Sequence, residues 1–370
     1  MPTEKPPYRV PSMATINKHK GYTGLVAAST FSGTGGNSTG MKWAGFDVRY
    51  ASEFVPPAQV CYRANHPGTF LDDRDIRLTQ PEDVLKAANL KAGELDLLDG
   101  SPPCKSFSTS GKRDKGWGEV SHYSSGIYQR TDDLFFEYVR LLGGLRPKVF
   151  IAENVTGLVK GSAVGYFKEV LSAMQKHGYK VKAGLFNGAW MGVPQARERI
   201  LYIGVREDLG VEPSFPKPLP YHYTVRDGWA GLEQTEADAA ECVHLEAGHF
   251  LHTAWHMTMP GDNFIPAAQR MKGKASYFDY RRLGWHLPAP TIKATPGGLY
   301  HPDLPRSCTI PELRRLSGLP DDFQLIGTYE ERWERCGRLV PPPMYYHVAR
   351  HVRDVILGWK GTLPKYARPA

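Results

Sequence analysis

One of the five cysteines, Cys104, closes the run Leu97-Leu98-Asp99-Gly100-Ser101-Pro102-Pro103, where an apolar stretch stops and hands a thiol to a loop. Residues 94–98 read as a short buried strand, and the prolines cannot continue a hydrogen-bonded ladder, so the chain must leave the sheet there. A thiol at a strand's end faces the crevice where open α/β sheets bind ligands, which suits a nucleophile; a buried, inert thiol is the alternative reading. Upstream, residues 25–31 form a buried-strand run followed at once by Ser32-Gly33-Thr34-Gly35-Gly36, a turn that lets backbone approach a nucleotide-like ligand closely. Glu53 ends the next strand, seventeen residues after Gly36, where a carboxylate can accept from both hydroxyls of a ribose. Phe54 beside it can stack on a purine, and Asp75, placed where the third strand should end, can accept from an adenine amino group. These strand-end acids, Glu53 and Asp75, after one glycine turn suggest an adenosine-containing cofactor, with solvated surface acids as the competing reading. Another acid, Glu153, stands at the end of strand 148–152. In Gln195-Ala196-Arg197-Glu198-Arg199, two cations two residues apart on one strand face suit an anion, or the cap of a surface edge.

The elements that must position these groups alternate strand and helix. A helical apolar pattern over 134–142, a strand over 148–152, a helix over 166–177 and a strand over 181–186 continue the alternation up to residue 205. Residues 109–130, rich in Gly, Ser, Lys and Arg and without periodicity, read as a lid beside the active site. The alternation breaks near Arg206, where Pro213, Pro216, Pro218 and Pro220 crowd together. The expected organisation is therefore a loose arm over 1–22, a catalytic cofactor-binding domain over 23–205, a smaller second domain over 206–329 and a C-terminal segment over 330–370 that returns to the first domain. In the second domain Arg270, Lys272, Lys274, Arg281 and Arg282 are interleaved with Tyr277, Phe278 and Tyr280, a pattern suited to a nucleic-acid face. The expected fold class is α/β, a doubly wound Rossmann-like sheet with a second, smaller domain.

A chain of 370 residues can bury a large core and suggests two domains. No apolar run approaches the ~18 residues of a membrane helix, and no signal-peptide pattern opens the chain, so a cytoplasmic protein without a membrane partner is expected. Five scattered cysteines without a C-x-x-C pair read as reduced thiols, and the histidines lack finger-like spacing, so no metal is expected. A net charge of +8 permits a polyanionic partner.

Taken together, the ordered elements Phe31-x-Gly33-x-Gly35-Gly36, Glu53-Phe54, Asp75-Ile76, Pro103-Cys104 with Phe107-Ser108, Glu153-Asn154-Val155, Gln195-x-Arg197-x-Arg199 and Arg306-x-x-Thr309-x-x-Glu312-x-x-Arg315-Leu316 resemble the cytosine-C5 DNA methyltransferase family from Leu25 to about Val355. The resemblance implies an S-adenosylmethionine-dependent sheet and, in place of the second domain, a target-recognition domain. It implies that Phe31, Gly33, Gly35, Gly36, Glu53, Phe54, Asp75, Ile76, Pro103 and Leu134 line the cofactor site, that Cys104 adds to cytosine C6, that Glu153 serves N3, and that Arg197 and Arg199 hold the base's O2 and a neighbouring phosphate. Cytosine C5 attacks a sulfonium methyl only after a thiolate has pushed electron density onto it, which is why the reaction needs these groups. Lys105, Ser108, Gln195, Arg281 and Arg282 are the expected contacts to double-stranded DNA, with the target cytosine flipped out of the duplex. A monomer is expected.

Two departures stand out. Lys105 replaces the family's Gln after the cysteine, and Arg338 replaces the Asn of its Gly-Asn-x-Val-Pro-Pro element. A guanidinium at the cofactor's reactive end pairs better with a carboxylate than with a plain sulfonium methyl. This gives an alternative to 5-methylcytosine as product: carboxy-S-adenosylmethionine as donor, held by Arg338, and 5-carboxymethylcytosine. An RNA methyltransferase of the same family and a DNA-binding protein that has lost catalysis are the rival readings.

Overall fold

The computed structural model describes residues 5–103, 120–122, 128–130, 133–159, 163–273 and 280–365. Seven strands build one sheet: β1 (Val26–Thr30), β2 (Asp47–Ser52), β3 (Phe70–Asp72), β4 (Leu97–Gly100), β5 (Val149–Asn154), β6 (Tyr179–Asn187) and β7 (Glu198–Arg206). Their spatial order is β3-β2-β1-β4-β5-β7-β6. Neighbours pair in parallel except β7, which runs antiparallel to both β5 and β6. The chain builds outward from β1 to β3, then returns to place β4 on the other side of β1. The carboxyl ends of β1 and β4 therefore flank the point where strand order reverses, the place where such sheets leave a crevice.

The central strands β1, β4 and β5 are buried at every position, as parallel strands covered on both faces must be. Alternate residues supply the two faces. Ala27, Val48, Leu97, Val149, Ile151, Leu201 and Ile203 pack into one cluster with Trp333, Met344, Tyr345 and Val348. Ala28, Tyr50, Leu98, Phe150, Ala152, Ile200 and Tyr202 pack into another with Leu134, Phe135, Tyr138 and Val170. The edge strand β6 exposes Lys180 and Lys182, charges that discourage pairing with another chain. The helix Pro342–His351 lies against the helix Gly36–Trp43, so tightly that a Cβ on Gly40 would stand 2.7 Å from Tyr345 Cβ.

Several expectations are corrected. The N-terminal stretch is not all loose: Met13–Lys18 is a helix capped by Ser12, with Met13 and Ile16 buried and Asp322 accepting from the Met13 amide at 2.7 Å. This helix packs against the helix Gly36–Trp43 and is tied to Asp322, so its own composition could not reveal it. The lid region contains a short hairpin, Val120–His122 with Tyr128–Arg130, too brief to show as periodicity. Strand β4 begins later than residue 94 and runs to Gly100. The region 206–329 shares the sheet's core through Val225, Trp229, Leu283, Ile292 and Leu313, and adds a smaller cluster of its own around Trp255, Phe264 and Tyr300.

Candidate functional site

The turn after β1 carries a backbone that few side chains tolerate. Phe31 has φ +54°, Gly33 +54° and Gly35 +97°, and a Cβ on Gly35 would lie 2.2 Å from His66 Nε2. A non-glycine residue held at positive φ is rare and marks a site fixed by its surroundings. The first helical residue, Gly36, is equally constrained, since a Cβ there would meet the Val340 carbonyl oxygen at 2.2 Å. The turn is thus pressed between His66, just past the helix Pro56–Asn65, and the segment after Arg338.

Glu53, one residue past β2, faces this turn. Its carboxylate accepts from the Gly33 amide at 2.7 Å and the Val55 amide at 2.8 Å. Burial pushes its carboxyl up from the usual range, while those amides and the nearby cations Arg335 and Arg338 pull it back. Thr34 Oγ1 and Ser52 Oγ are buried beside the same turn without hydrogen-bond partners, polar atoms that a bound polar ligand satisfies. Asp75 is corrected in place: β3 ends at Asp72, and Asp75 instead caps the short 3₁₀ turn Ile76–Leu78, where its carboxylate pairs with Arg77. Arg77 also reaches Asp133, which brings Asp75, Ile76 and Leu134 to one edge of the crevice. Ile76 and Leu134 are buried there, and Phe54 is half-buried. These residues fit an adenosine-bearing cofactor.

The segment leading to Cys104 is tied to both neighbouring strands. Ser101 Oγ donates to the Phe31 carbonyl at 3.0 Å, and Asn154 Nδ2 donates to the Pro102 carbonyl at 3.2 Å. Cys104 itself, with Lys105, Phe107, Ser108, Lys274, Tyr277 and Phe278, lies outside the described residues; Pro103 is described and half-buried. Glu153, almost fully buried, precedes Asn154 at the end of β5. Arg199 Nε lies 2.6 Å from Glu153 Oε1. That distance marks an ion pair.

Other predicted residues sit elsewhere than expected. Arg197 lies near enough to Arg199 and Glu153 to feel both charges, but the chain turns at residue 197 between two strand segments. Its buried guanidinium donates to the carbonyls of Ile292 at 3.2 Å and Gly337 at 2.9 Å, and burial pulls its pKa well down. Gln195 is corrected as a DNA contact, since it is 1% exposed and its amide bridges the Leu316 carbonyl and the Ile292 amide. Arg282, also expected at DNA, is half-buried. It donates to the carbonyls of Pro302, Trp255 and Thr258 and covers the Trp255 ring at 3.7 Å, a structural clasp. Arg281 and Arg282 both line, with Ala196, Gly261, Leu287 and Thr291, a cavity of about 460 Å³. Arg338 Nε pairs with Glu334 at 2.6 Å; Glu334 also contacts Arg335. Sequence reasoning missed Asp99, Asn154 and Tyr345. An acid inside the otherwise apolar stretch before Gly100 was the available signal, because a buried carboxylate needs partners.

Residues 26–354 fit the model of the C-5 cytosine-specific DNA methylase family. The chain belongs to that family. It is 28% identical over 350 residues to the type II methyltransferase M.NgoPII of Neisseria gonorrhoeae, covering 90% of this chain and 97% of that one. With M.XorII of Xanthomonas oryzae pv. oryzae it shares 31% identity, covering 86% and 82% of the two chains. The fold is also that of a prophage-encoded E. coli protein assigned as a DNA modification methyltransferase, with TM-score 0.67, 22% identity and coverage of 90% and 99%, and of the S. pombe Dnmt2 methyltransferase, with TM-score 0.57, 16% identity and coverage of 90% and 99%. Among the described residues no group of His, Cys, Asp and Glu could hold a metal ion, and no helix is long and apolar enough to cross a membrane.

Proposed function

We propose that the protein transfers a methyl group from S-adenosylmethionine to C5 of cytosine in double-stranded DNA. The observation that carries this reading is the pairing of Glu153 with Arg199 at the end of β5, one residue from Asn154, which is hydrogen-bonded to the segment entering Cys104. Gly33, Gly35, Glu53, Phe54, Ile76 and Leu134 hold the cofactor, which supplies an electrophilic methyl on a sulfonium. Cys104, as thiolate, forms the bond to C6 of a flipped-out cytosine. Glu153 donates a proton or hydrogen bond to N3 as electron density moves onto the ring, and Arg199 keeps that carboxyl in place and faces the developing charge. A hydroxyl in place of the thiol does not ionise near neutrality, so the addition stops. Arg281, beside its cavity, contacts the DNA backbone. Incubating the protein with S-adenosylmethionine and a duplex containing 5-fluorocytosine tests this: a covalent complex in the parent and none in Cys104→Ser is the expected result, and no trapping in the parent contradicts it.

A second reading concerns the donor. Arg338 lies close enough to pull down the carboxyl of Glu53, which favours carboxy-S-adenosylmethionine as donor and a 5-carboxymethylcytosine product. Its pairing with Glu334 favours the methyl product instead. Competition between the two donors, read by mass spectrometry of digested DNA, separates them: Arg338→Asn shifts a carboxymethyl product toward methyl, whereas exclusive methylation under excess carboxylated donor rules the second reading out.

A further inference from the structure

Asp99 is fully buried at the end of β4, five positions before Cys104. Among the described residues, the side chains hydrogen-bonded to its carboxylate all donate to it. Ser29 Oγ donates at 2.7 Å, Asn37 Nδ2 lies 3.1 Å from both oxygens, and the Tyr345 hydroxyl makes a short contact to Oδ1. Ser32 extends the network by donating to Ser29. These donors come from three segments. Ser29 and Ser32 lead into the glycine turn, Asn37 lies in the first turn of the helix that follows it, and Tyr345 belongs to the C-terminal helix packed against that helix. The reaction described above leaves this carboxyl without a part.

We infer that Asp99 is a positioning residue that, in its ionised form, clamps the cofactor's glycine turn and the C-terminal helix to the strand that delivers Cys104. The inference rests on the reading that this turn binds the cofactor. A carboxylate accepts from all four contacts at once, whereas a protonated carboxyl must donate one hydrogen itself. The Asn37 amide cannot receive it, so the Tyr345 or Ser29 hydroxyl has to turn and its own bond is lost. The titratable groups facing Asp99 are Glu153 from β5 and the hydroxyls of Tyr345, Tyr138 and Tyr62. Burial raises the Asp99 carboxyl to about 7, the Tyr345, Ser29 and Asn37 hydrogen bonds hold it down, and Glu153 adds to the rise. The clamp is thus set to tighten across neutrality.

Calorimetric affinity for S-adenosylhomocysteine, measured from about pH 5.5 to 8.5 in the full-length protein, tests the clamp without relying on turnover. The parent is expected to gain roughly tenfold in affinity across this range, with its midpoint near neutrality. Tyr345→Phe removes one donor to the ionised form and is expected to move that midpoint upward by about one unit. Asp99→Asn is expected to bind weakly at every pH, and because it faces three donors it could unfold, so Ser29→Ala serves as a second variant expected to shift the midpoint in the same direction. A parent affinity flat with pH, or folded Tyr345→Phe and Ser29→Ala proteins with the parent's midpoint, overturns the clamp while leaving the functional reading intact. Absence of binding by the parent at every pH overturns that reading and the clamp with it.

Discussion

Replacing Arg197 with Met distinguishes a tether from a substrate contact, because the aliphatic stem is kept while the guanidinium is lost. In the structure that guanidinium joins Ile292 and Gly337, two carbonyls far apart in sequence, to the kink ahead of β7. Losing a hydrogen bond from a charged donor costs about 1.5–3 kcal/mol, so two bonds amount to roughly 3–6 kcal/mol. Removing a buried cation whose charge is disfavoured by burial recovers part of this, leaving a net loss of about 2–4 kcal/mol. Equilibrium unfolding in urea is the assay, with turnover of the surviving folded fraction measured alongside. The expected variant is markedly less stable, while its Glu153–Arg199 pair still supports turnover once folding is secured at low temperature. Unchanged stability with turnover reduced more than about a hundredfold would refute the tether and return Arg197 to the reacting base.

Glu153→Gln is expected to lower turnover by about 10²–10⁴-fold with cofactor affinity nearly unchanged, since the acid serves the base and not the donor; weakened cofactor binding with normal turnover contradicts its assignment. Arg281→Ala should weaken DNA binding and flatten its dependence on salt, because released counterions scale with phosphates neutralised, whereas Arg282→Ala should lower the unfolding midpoint through its clasp on Trp255. Equal salt slopes in Arg281→Ala and parent place the cavity away from DNA. Lys42 is fully buried beside His66 and Asn17, and burial, with Lys20 adding repulsion, lowers its pKa to about 7. Between that value and 10.5 the unfolded chain binds the proton that the folded one has released, so this group makes stability rise with pH above about 7 and costs most below it. Lys42→Met should therefore stabilise the protein at pH 6, by at most about 5 kcal/mol, and lose that part of the alkaline rise; equal pH profiles in urea unfolding count against a neutral buried lysine.

The alternation of apolar strands with glycine turns was readable, and β2 falls on Asp47–Ser52 as its pattern implies. Glu53 and Glu153 were readable for the same reason, as acids placed where an apolar strand stops. What local pattern could not convey was which of two similar residues meets which partner. Gln195, Arg197 and Arg199 looked alike on one strand face, yet the kink at residue 197 sends two of them to carbonyls of Ile292, Leu316 and Gly337 and only Arg199 to Glu153. Asp75 was misplaced by three residues because β3 is only three residues long, too short to mark its own end. Met13 and Ile16 were missed because their burial depends on contacts distant in sequence.

The most direct test of the central assignment is mass spectrometry of nucleosides from duplex DNA incubated with the protein and S-adenosylmethionine, carried out in parallel with Cys104→Ser. The account predicts 5-methyldeoxycytidine with the parent and none above background with the variant. Unmodified DNA from a folded, cofactor-binding parent, or equal product from both proteins, contradicts it.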